Sequence, residues 1–195
     1  MNQKTHVAER PASPDREAEL LARIGQGDRR AFEALYKAYY RRLTRFLDKI
    51  TRQPQLIEEI LDDTMFAVWQ GAARFHGASR ASTWIFGIAY NVAMKAIGRE
   101  RRHASQESAD ALPTDVVHEG PEDVLIERES EQMLTALLGG LSPEHRAVIE
   151  LTYYFGYSYA EIASIVDCPV DTVKTRMFYA RRKLRVLLEV RGGRP

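Results

Sequence analysis

The chain has 195 residues, enough for one domain or two small ones, and its 28 Lys and Arg nearly balance 27 Asp and Glu, for a formal net charge of +1. Its one cysteine, Cys168, excludes an intramolecular disulfide framework and fits a reducing compartment. The polar, proline-interrupted N-terminus is no signal peptide and no apolar run is long enough to span a bilayer, so the expected protein is cytoplasmic, without membrane insertion.

Residues 1–12 read as disordered. Ser13 and Pro14 then have the N-cap and first-position chemistry of a helix over residues 15–24, which Gly25 and Gly27 break. Asp28 caps a longer helix, with Phe32, Leu35, Tyr36, Tyr39, Leu43, Phe46, Leu47 and Ile50 at three- and four-residue steps. Gln53 and Pro54 end that segment. A third helix, residues 55–70, carries Leu56, Ile60, Leu61, Thr64, Met65, Val68 and Trp69 on its apolar side. Its polar side holds Glu58, Glu59, Asp62 and Asp63, paired at a four-residue spacing where like charges repel. From the residues alone this is either a solvated face or an acidic surface offered to a basic partner.

A small-residue loop over residues 73–82 leads to a helix over 83–102. Trp84, Ile88, Val92 and Ala96 are its expected inward residues, and Asn91 is a lone amide in an apolar run. From residue 95 to 102, Lys95, Arg99, Arg101 and Arg102 oppose Glu100, a net +3. Residues 103–120 have no apolar period and read as a flexible linker. A helix is expected over residues 121–138, interrupted by Gly139 and Gly140. Nine acids oppose one arginine between residues 104 and 132, a net −8. Ser142 and Pro143 repeat the N-cap signal and open a helix to about Tyr154, and Phe155, Gly156 and Tyr157 form a connector.

The last segment is the most specific. Ser158 and Glu161 have capping-box spacing, and Ile162, Ala163, Ile165 and Val166 give a short apolar face. Asp167 occupies the turn, where it tolerates a left-handed backbone better than most residues, and Pro169 suits the edge of a new helix. In the second helix Val173, Met177 and Leu184 are spaced to face the first, which leaves Lys174, Thr175, Phe178 and Tyr179 outward. Seven basic residues oppose two acids from residue 170 to 191, a net +5. This is the pattern of a helix-turn-helix that places a basic, aromatic and hydroxyl-bearing row in a major groove. No strand pattern of useful length appears. The fold class is therefore all-α: two small helical domains, residues 13–102 and 121–191, joined by a flexible acidic linker, with the helix-turn-helix in the second.

In this order the pieces resemble a bacterial sigma factor of the small extracytoplasmic-function type, with regions 2 and 4 only. The likeness runs from about Glu19 to Leu188 and rests on two motifs. One is the run from Ile57 to Trp69, followed by Arg74 and Phe75 and by the run from Ser82 to Asn91. The other is the run from Leu141 to Leu151, followed by Glu161, Ile162 and Ala163 and by the run from Thr172 to Arg176. The resemblance implies that Glu59, Asp62 and Asp63 dock on a coiled coil of the largest subunit of core RNA polymerase. It implies that Ser79, Arg80, Ser82, Thr83, Trp84 and Asn91 take an unstacked base of the single-stranded −10 element, with Lys95, Arg99, Arg101 and Arg102 on the backbone. Taking a base from the stack costs a few kcal/mol, so a pocket with polar edges and phosphate contacts is physically sensible. It further implies that Thr172, Lys174, Thr175, Arg176, Phe178, Tyr179, Arg181 and Arg182 meet the duplex −35 element, Arg176 and Arg181 on phosphate or in helix packing. An anti-sigma factor is the implied regulator, and no cofactor or metal is implied.

The chain departs from the family pattern in places. Asp62 and Asp63 stand for the more usual Gln-Glu, Lys95 for a common Asp, Asp171 for a Gly, and Gly98 weakens the end of the basic helix. Two other readings compete. A stand-alone helix-turn-helix regulator leaves the acidic helix and the Trp84 loop unassigned. A sigma mimic that titrates an anti-sigma factor should lack the basic charge of the last helix. The five scattered histidines show no metal-ligand spacing, and no nucleophile or phosphate-loop motif points to an enzyme.

Overall fold

The structure, a computed structural model, describes residues 14–107 and 139–192. The expectations for the N-terminus, including the Ser13 cap, for most of the linker and for the helix over residues 121–138 lie outside the described residues. Among the described residues the fold is all-α, as the sequence implied, and no strand occurs. The helices are α1 (Pro14–Gly25), α2 (Arg29–Thr51), α3 (Pro54–Gly71) and α4 (Ala81–Glu107), with a 3-10 turn at Ala72–Arg74, then α5 (Pro143–Tyr153), α6 (Tyr159–Ile165) and α7 (Val170–Gly192). No described helix is long and apolar enough to cross a membrane.

The N-terminal unit is assembled around α2. Asp28 starts this helix by accepting from the Arg30 and Ala31 N–H groups at 2.9 and 3.1 Å, and it pairs with Arg23 at 2.7 Å. Leu35, Tyr39, Leu43, Phe46, Leu47 and Ile50 are all buried, as their spacing requires. Leu20, Leu21 and Ile24 of α1, Leu56 to Val68 of α3 and the inner face of α4 close around them. Gly25 lets α1 meet the 3-10 turn, since a Cβ there would lie 2.9 Å from the Ala73 Cα. Glu17 is buried and reaches Arg42 at 3.4 Å, whose guanidinium stacks over Tyr39 and Phe86.

Helix α4 corrects the sequence reading. Its first turn takes in Ala81 and Ser82, which were expected in the loop, and it runs to Glu107, past residue 103 where the linker was to begin. No Gly or Pro interrupts residues 99–107, so nothing local stops the helix. The expected inward row of Trp84, Ile88 and Val92 is only half-buried. Beyond the buried first turn of Ala81, Ser82 and Thr83, the buried residues are Ile85, Phe86, Ala89, Tyr90, Ala93, Ala96 and Ile97, so Ala96 alone of the expected set is fully inside. The reason is tertiary: α4 packs on α2 and α3 and also against α6, and the second partner draws the buried arc around the helix.

In the C-terminal unit, Ser142 accepts from the His145 N–H at 3.4 Å to start α5. Ser158 and Glu161 close a capping box on α6: the Ser158 N–H donates to Glu161 at 2.9 Å, and the Glu161 N–H donates to the Ser158 hydroxyl at 3.3 Å. Asp167 adopts the left-handed turn, with φ 49°, as its type allows. Burial opposes ionisation of Glu161. The hydrogen bonds from the Ser158 N–H and hydroxyl, with Arg80 nearby, outweigh it and hold the carboxyl below its ordinary value of 4.5. A lowered carboxylate stabilises fully above the unfolded value, and that stability is lost as pH falls through the folded one. Ser158→Ala is therefore expected to cost about 1 kcal/mol at neutral pH. Thermal unfolding at pH 7 and at acid pH checks it: the gap from wild type should shrink below pH 4.5, and an equal gap at both would contradict the capping role.

The two units are packed together. Phe86 of α4 meets Phe46 of α2 at 5.2 Å between ring centroids, and Phe155 and Tyr157 of the C-terminal unit at 4.8 and 5.7 Å. Arg45 donates to Glu150 at 2.8 Å and stacks on Tyr154. Arg146 is buried and donates at 2.6 Å both to the Leu141 carbonyl and to the Ile50 carbonyl, one of the acceptors left open at the C-terminal end of α2. Burial, with Arg52 and Arg101 nearby, lowers the Arg146 pKa to about 10. Phe155 and Tyr157 are thus part of a shared core, which the reading of residues 155–157 as a plain connector did not foresee.

Candidate nucleic-acid interface

Three surfaces hold the residues that the sequence singled out. The first is the outer face of α3. Glu58, Glu59, Asp62 and Asp63 are exposed there because the opposite side, with Leu56, Ile60, Leu61 and Met65, is in the core. Glu59 accepts from Arg99 of α4 at 2.7 Å, so one carboxylate of the four is tied to the neighbouring helix. Phe66, one turn past Asp62 and Asp63, is 60% exposed. Sequence reasoning passed over it, although its position outside the buried row of α3 could have marked it. It lines a groove between α3 and α4 together with Asp63, Val92, Met94, Lys95 and Arg99.

The second surface is the loop before α4 and the outer side of that helix. Trp84 is half-buried, its ring 5.3 Å from Phe75 and held against Gly71, where a Cβ would lie 3.0 Å from the indole. Ser79 and Arg80 are exposed. Ser82 and Thr83 are not: they are 9% and 3% exposed. Asn91, Lys95, Arg99 and Arg102 are exposed and follow one another at steps of four, four and three, so they share a face of α4. Arg101 falls elsewhere. It lines the cleft between the units with Glu100 and Arg146.

The third surface is α7. Val173, Met177 and Ala180 are buried against α5 and α6, which turns the opposite side outward. Lys174, Thr175, Phe178, Tyr179, Arg181 and Arg182 are exposed, and Phe178 at 61% stands edge-on to Tyr179, 5.5 Å away. Lys174 is held by Asp171 at 2.9 Å, and the Thr175 hydroxyl donates to the Asp171 carbonyl at 2.8 Å. Arg181 stacks over Tyr153 at 5.6 Å. Thr172 and Arg176 are only half-buried and set apart from that row, and Arg176 faces Tyr90 and Glu144. An exposed row with ammonium, hydroxyl, aromatic and guanidinium groups on a rigid helix can meet phosphates and base edges together.

The chain matches the family "Sigma-70 region 2" over residues 35–103 and "Sigma-70, region 4" over residues 131–184. It is 27% identical over 173 residues to the "ECF RNA polymerase sigma-E factor" of Escherichia coli (strain K12), covering 85% of this chain and 90% of that protein. It is 26% identical over 183 residues to the "RNA polymerase sigma-H factor" of Pseudomonas aeruginosa, covering 90% and 95%. Among solved structures, CnrH in complex with the cytosolic domain of CnrY is similar with a TM-score of 0.66 and 26% identity, over 90% of this chain and 99% of that one. The sigma factor RpoE from Bartonella quintana, in complex with the anti-sigma factor NepR, has the same fold, with a TM-score of 0.67 and 24% identity over 82% of this chain and 97% of that one.

Proposed function

Because the chain belongs to the sigma-70 family, as an extracytoplasmic-function sigma factor with regions 2 and 4, we propose how its three surfaces divide the work of promoter selection. The protein is an alternative sigma factor: it directs core RNA polymerase to promoters and is held in check by an anti-sigma factor. It is a transcription initiation factor, and it acts where the polymerase is, in the cell interior. We take that interior to be the cytoplasm and assign the protein no catalytic chemistry of its own.

In this division the α3 face carries polymerase docking. Asp62 and Asp63 present exposed carboxylates, and Phe66 adds an apolar centre that a docked helix would cover. Ser79, Arg80, Ser82, Thr83 and Trp84 take the displaced −10 strand, with Asn91, Lys95, Arg99 and Arg102 along its backbone. Lys174, Thr175, Phe178 and Tyr179 enter the −35 major groove, with Arg181 and Arg182 on phosphates. Arg101 and Arg176 act in packing, since both face the other unit. The observation that carries this reading is the exposed polar and aromatic row on α7 together with an exposed acidic face on α3, in one chain and in the order of regions 2 and 4.

Each unit makes few phosphate contacts, so each binds DNA weakly alone. Affinity comes from both acting at once when the polymerase fixes their separation. Run-off transcription on a genomic promoter library checks this. Core polymerase plus the protein should yield discrete transcripts that core alone does not make. No protein-dependent transcript from any template would refute it.

A further inference from the structure

A cleft of about 230 Å³ lies between the two units, where the end of α2, the residue before α3, the later turns of α4 and the start of α5 meet. Its size is below the roughly 300–1,000 Å³ of pockets that enclose drug-sized ligands, so an occupant is the size of an ion. None of the residues given a direct promoter or polymerase contact above lines it. Ile97 and Pro143 supply apolar wall, and the rest of the lining is polar or charged.

The polar groups of the cleft are unevenly satisfied. The Thr51 hydroxyl donates to the Leu47 carbonyl at 2.8 Å and accepts from the Gln53 N–H at 3.3 Å, so it is fully used. Arg146 is 7% exposed, and its two terminal nitrogens donate at 2.6 Å to the Leu141 and Ile50 carbonyls. Its third nitrogen, Nε, is buried without a hydrogen-bond partner, and so is the Oε1 of Gln53. A buried donor or acceptor left unpaired carries the full cost of its lost hydration, so both atoms point to a guest in the cleft. The charges indicate its sign. Arg52 and Arg101 face the Arg146 guanidinium, against Glu144 and the lining Glu100, so three cations meet two carboxylates. This excess favours an anion. The unpaired Gln53 oxygen requires further that the anion carry a proton of its own.

We propose that the cleft is a binding site for inorganic hydrogen phosphate, which accepts from the Arg146 Nε–H and the Arg101 guanidinium and donates its remaining proton to the Gln53 Oε1. Guanidinium groups match the geometry of phosphate and hold it by charge-assisted bonds. Glu100 sharpens the choice, since it repels an anion that has no proton to turn toward it. Sulfate has the same shape and no proton at neutral pH. It leaves the Gln53 oxygen unpaired, and a site built around a donor rejects an analogue without one. A phosphate monoester loses its second proton at about pH 6, so at pH 8 it falls with sulfate. Water would satisfy the two unpaired atoms and leave the excess of guanidinium charge unanswered. The site takes residues from both units, and it is independent of the promoter contacts proposed above.

Isothermal titration calorimetry on the full-length protein, at pH 8 and constant ionic strength, is the test. Phosphate should bind saturably, one per chain, and about tenfold or more tighter than sulfate or adenosine monophosphate. Arg101→Gln should weaken phosphate binding about tenfold or more, as loss of a charge-assisted bond does. Gln53→Leu should weaken phosphate about tenfold and sulfate little, a split that lost structure would not produce. Gln53 makes no side-chain cap bond to α3, so that helix does not need it. Thermal unfolding of each variant in chloride alone confirms that it is folded. Absence of saturable phosphate binding, with a trapped water as the remaining occupant, would overturn the proposal. So would sulfate or adenosine monophosphate binding as tightly as phosphate, an affinity unchanged by Arg101→Gln, or equal weakening of both anions by Gln53→Leu.

Discussion

Replacing Lys174, Thr175 and Phe178 together by alanine is expected to lower promoter-dependent transcription by about a hundredfold or more in the holoenzyme. The three side chains are exposed on one face of α7, and the core-facing Val173, Met177 and Ala180 do not depend on them. Each well-made contact to a base edge or phosphate in a groove contributes about 1–3 kcal/mol, so three lost contacts exceed the roughly 2.7 kcal/mol that a hundredfold change requires. Loss of Lys174 also leaves the Asp171 carboxylate without its partner beside the phosphates, which adds repulsion. The melting temperature should stay within a few degrees, because exposed substitutions of this kind cost little. Run-off yield on a −35-dependent promoter and thermal unfolding of the free protein make the check. A loss of less than threefold would remove α7 as the groove-reading element.

The second large effect is on stability. Phe86→Ala is expected to cost about 3–5 kcal/mol, measured by denaturant unfolding. The Phe86 ring is fully buried and touches Tyr39, Phe46, Phe155 and Tyr157, with the Arg42 guanidinium 5.5 Å from its centre. Few neighbours could collapse into the space, because they are rings held from α2 and from the connector between α5 and α6. Phe155→Ala should cost less on its own, since Phe155 is only half-buried. The two changes should couple by about 0.5–1.5 kcal/mol in a double-mutant cycle, the usual range for an edge-on aromatic pair. Full additivity would mean that the units are not in contact in solution.

Much of the fold was legible because its signals are local. The Asp28 cap, the capping box of Ser158 and Glu161, and the left-handed turn at Asp167 each depend on residues within a few positions of one another. The inward row of α2 could be read from spacing because that helix is buried along one side against its own unit. The same logic misplaced the inward row of α4. A single apolar stripe assumes one packing partner, and α4 has the N-terminal unit on one side and α6 on another. Phe66 was missed for a related reason: periodicity marks what is buried, and an exposed aromatic within an apolar-rich helix does not stand out from it.

By itself the amino-acid sequence determined the helices, their caps, the helix-turn-helix, the segregation of charge and the family, since all of these are set by short-range stereochemistry and by residue types in order. Only the tertiary structure decided which side of α4 is buried, that Arg101 and Arg176 turn toward the other unit, and that Ser82 and Thr83 lie covered. Those outcomes depend on contacts between residues far apart in the chain, such as Arg45 with Glu150 and Arg146 with the Ile50 carbonyl. Such contacts leave no period in the sequence, because each partner is chosen by shape and charge at the place where two finished helices meet.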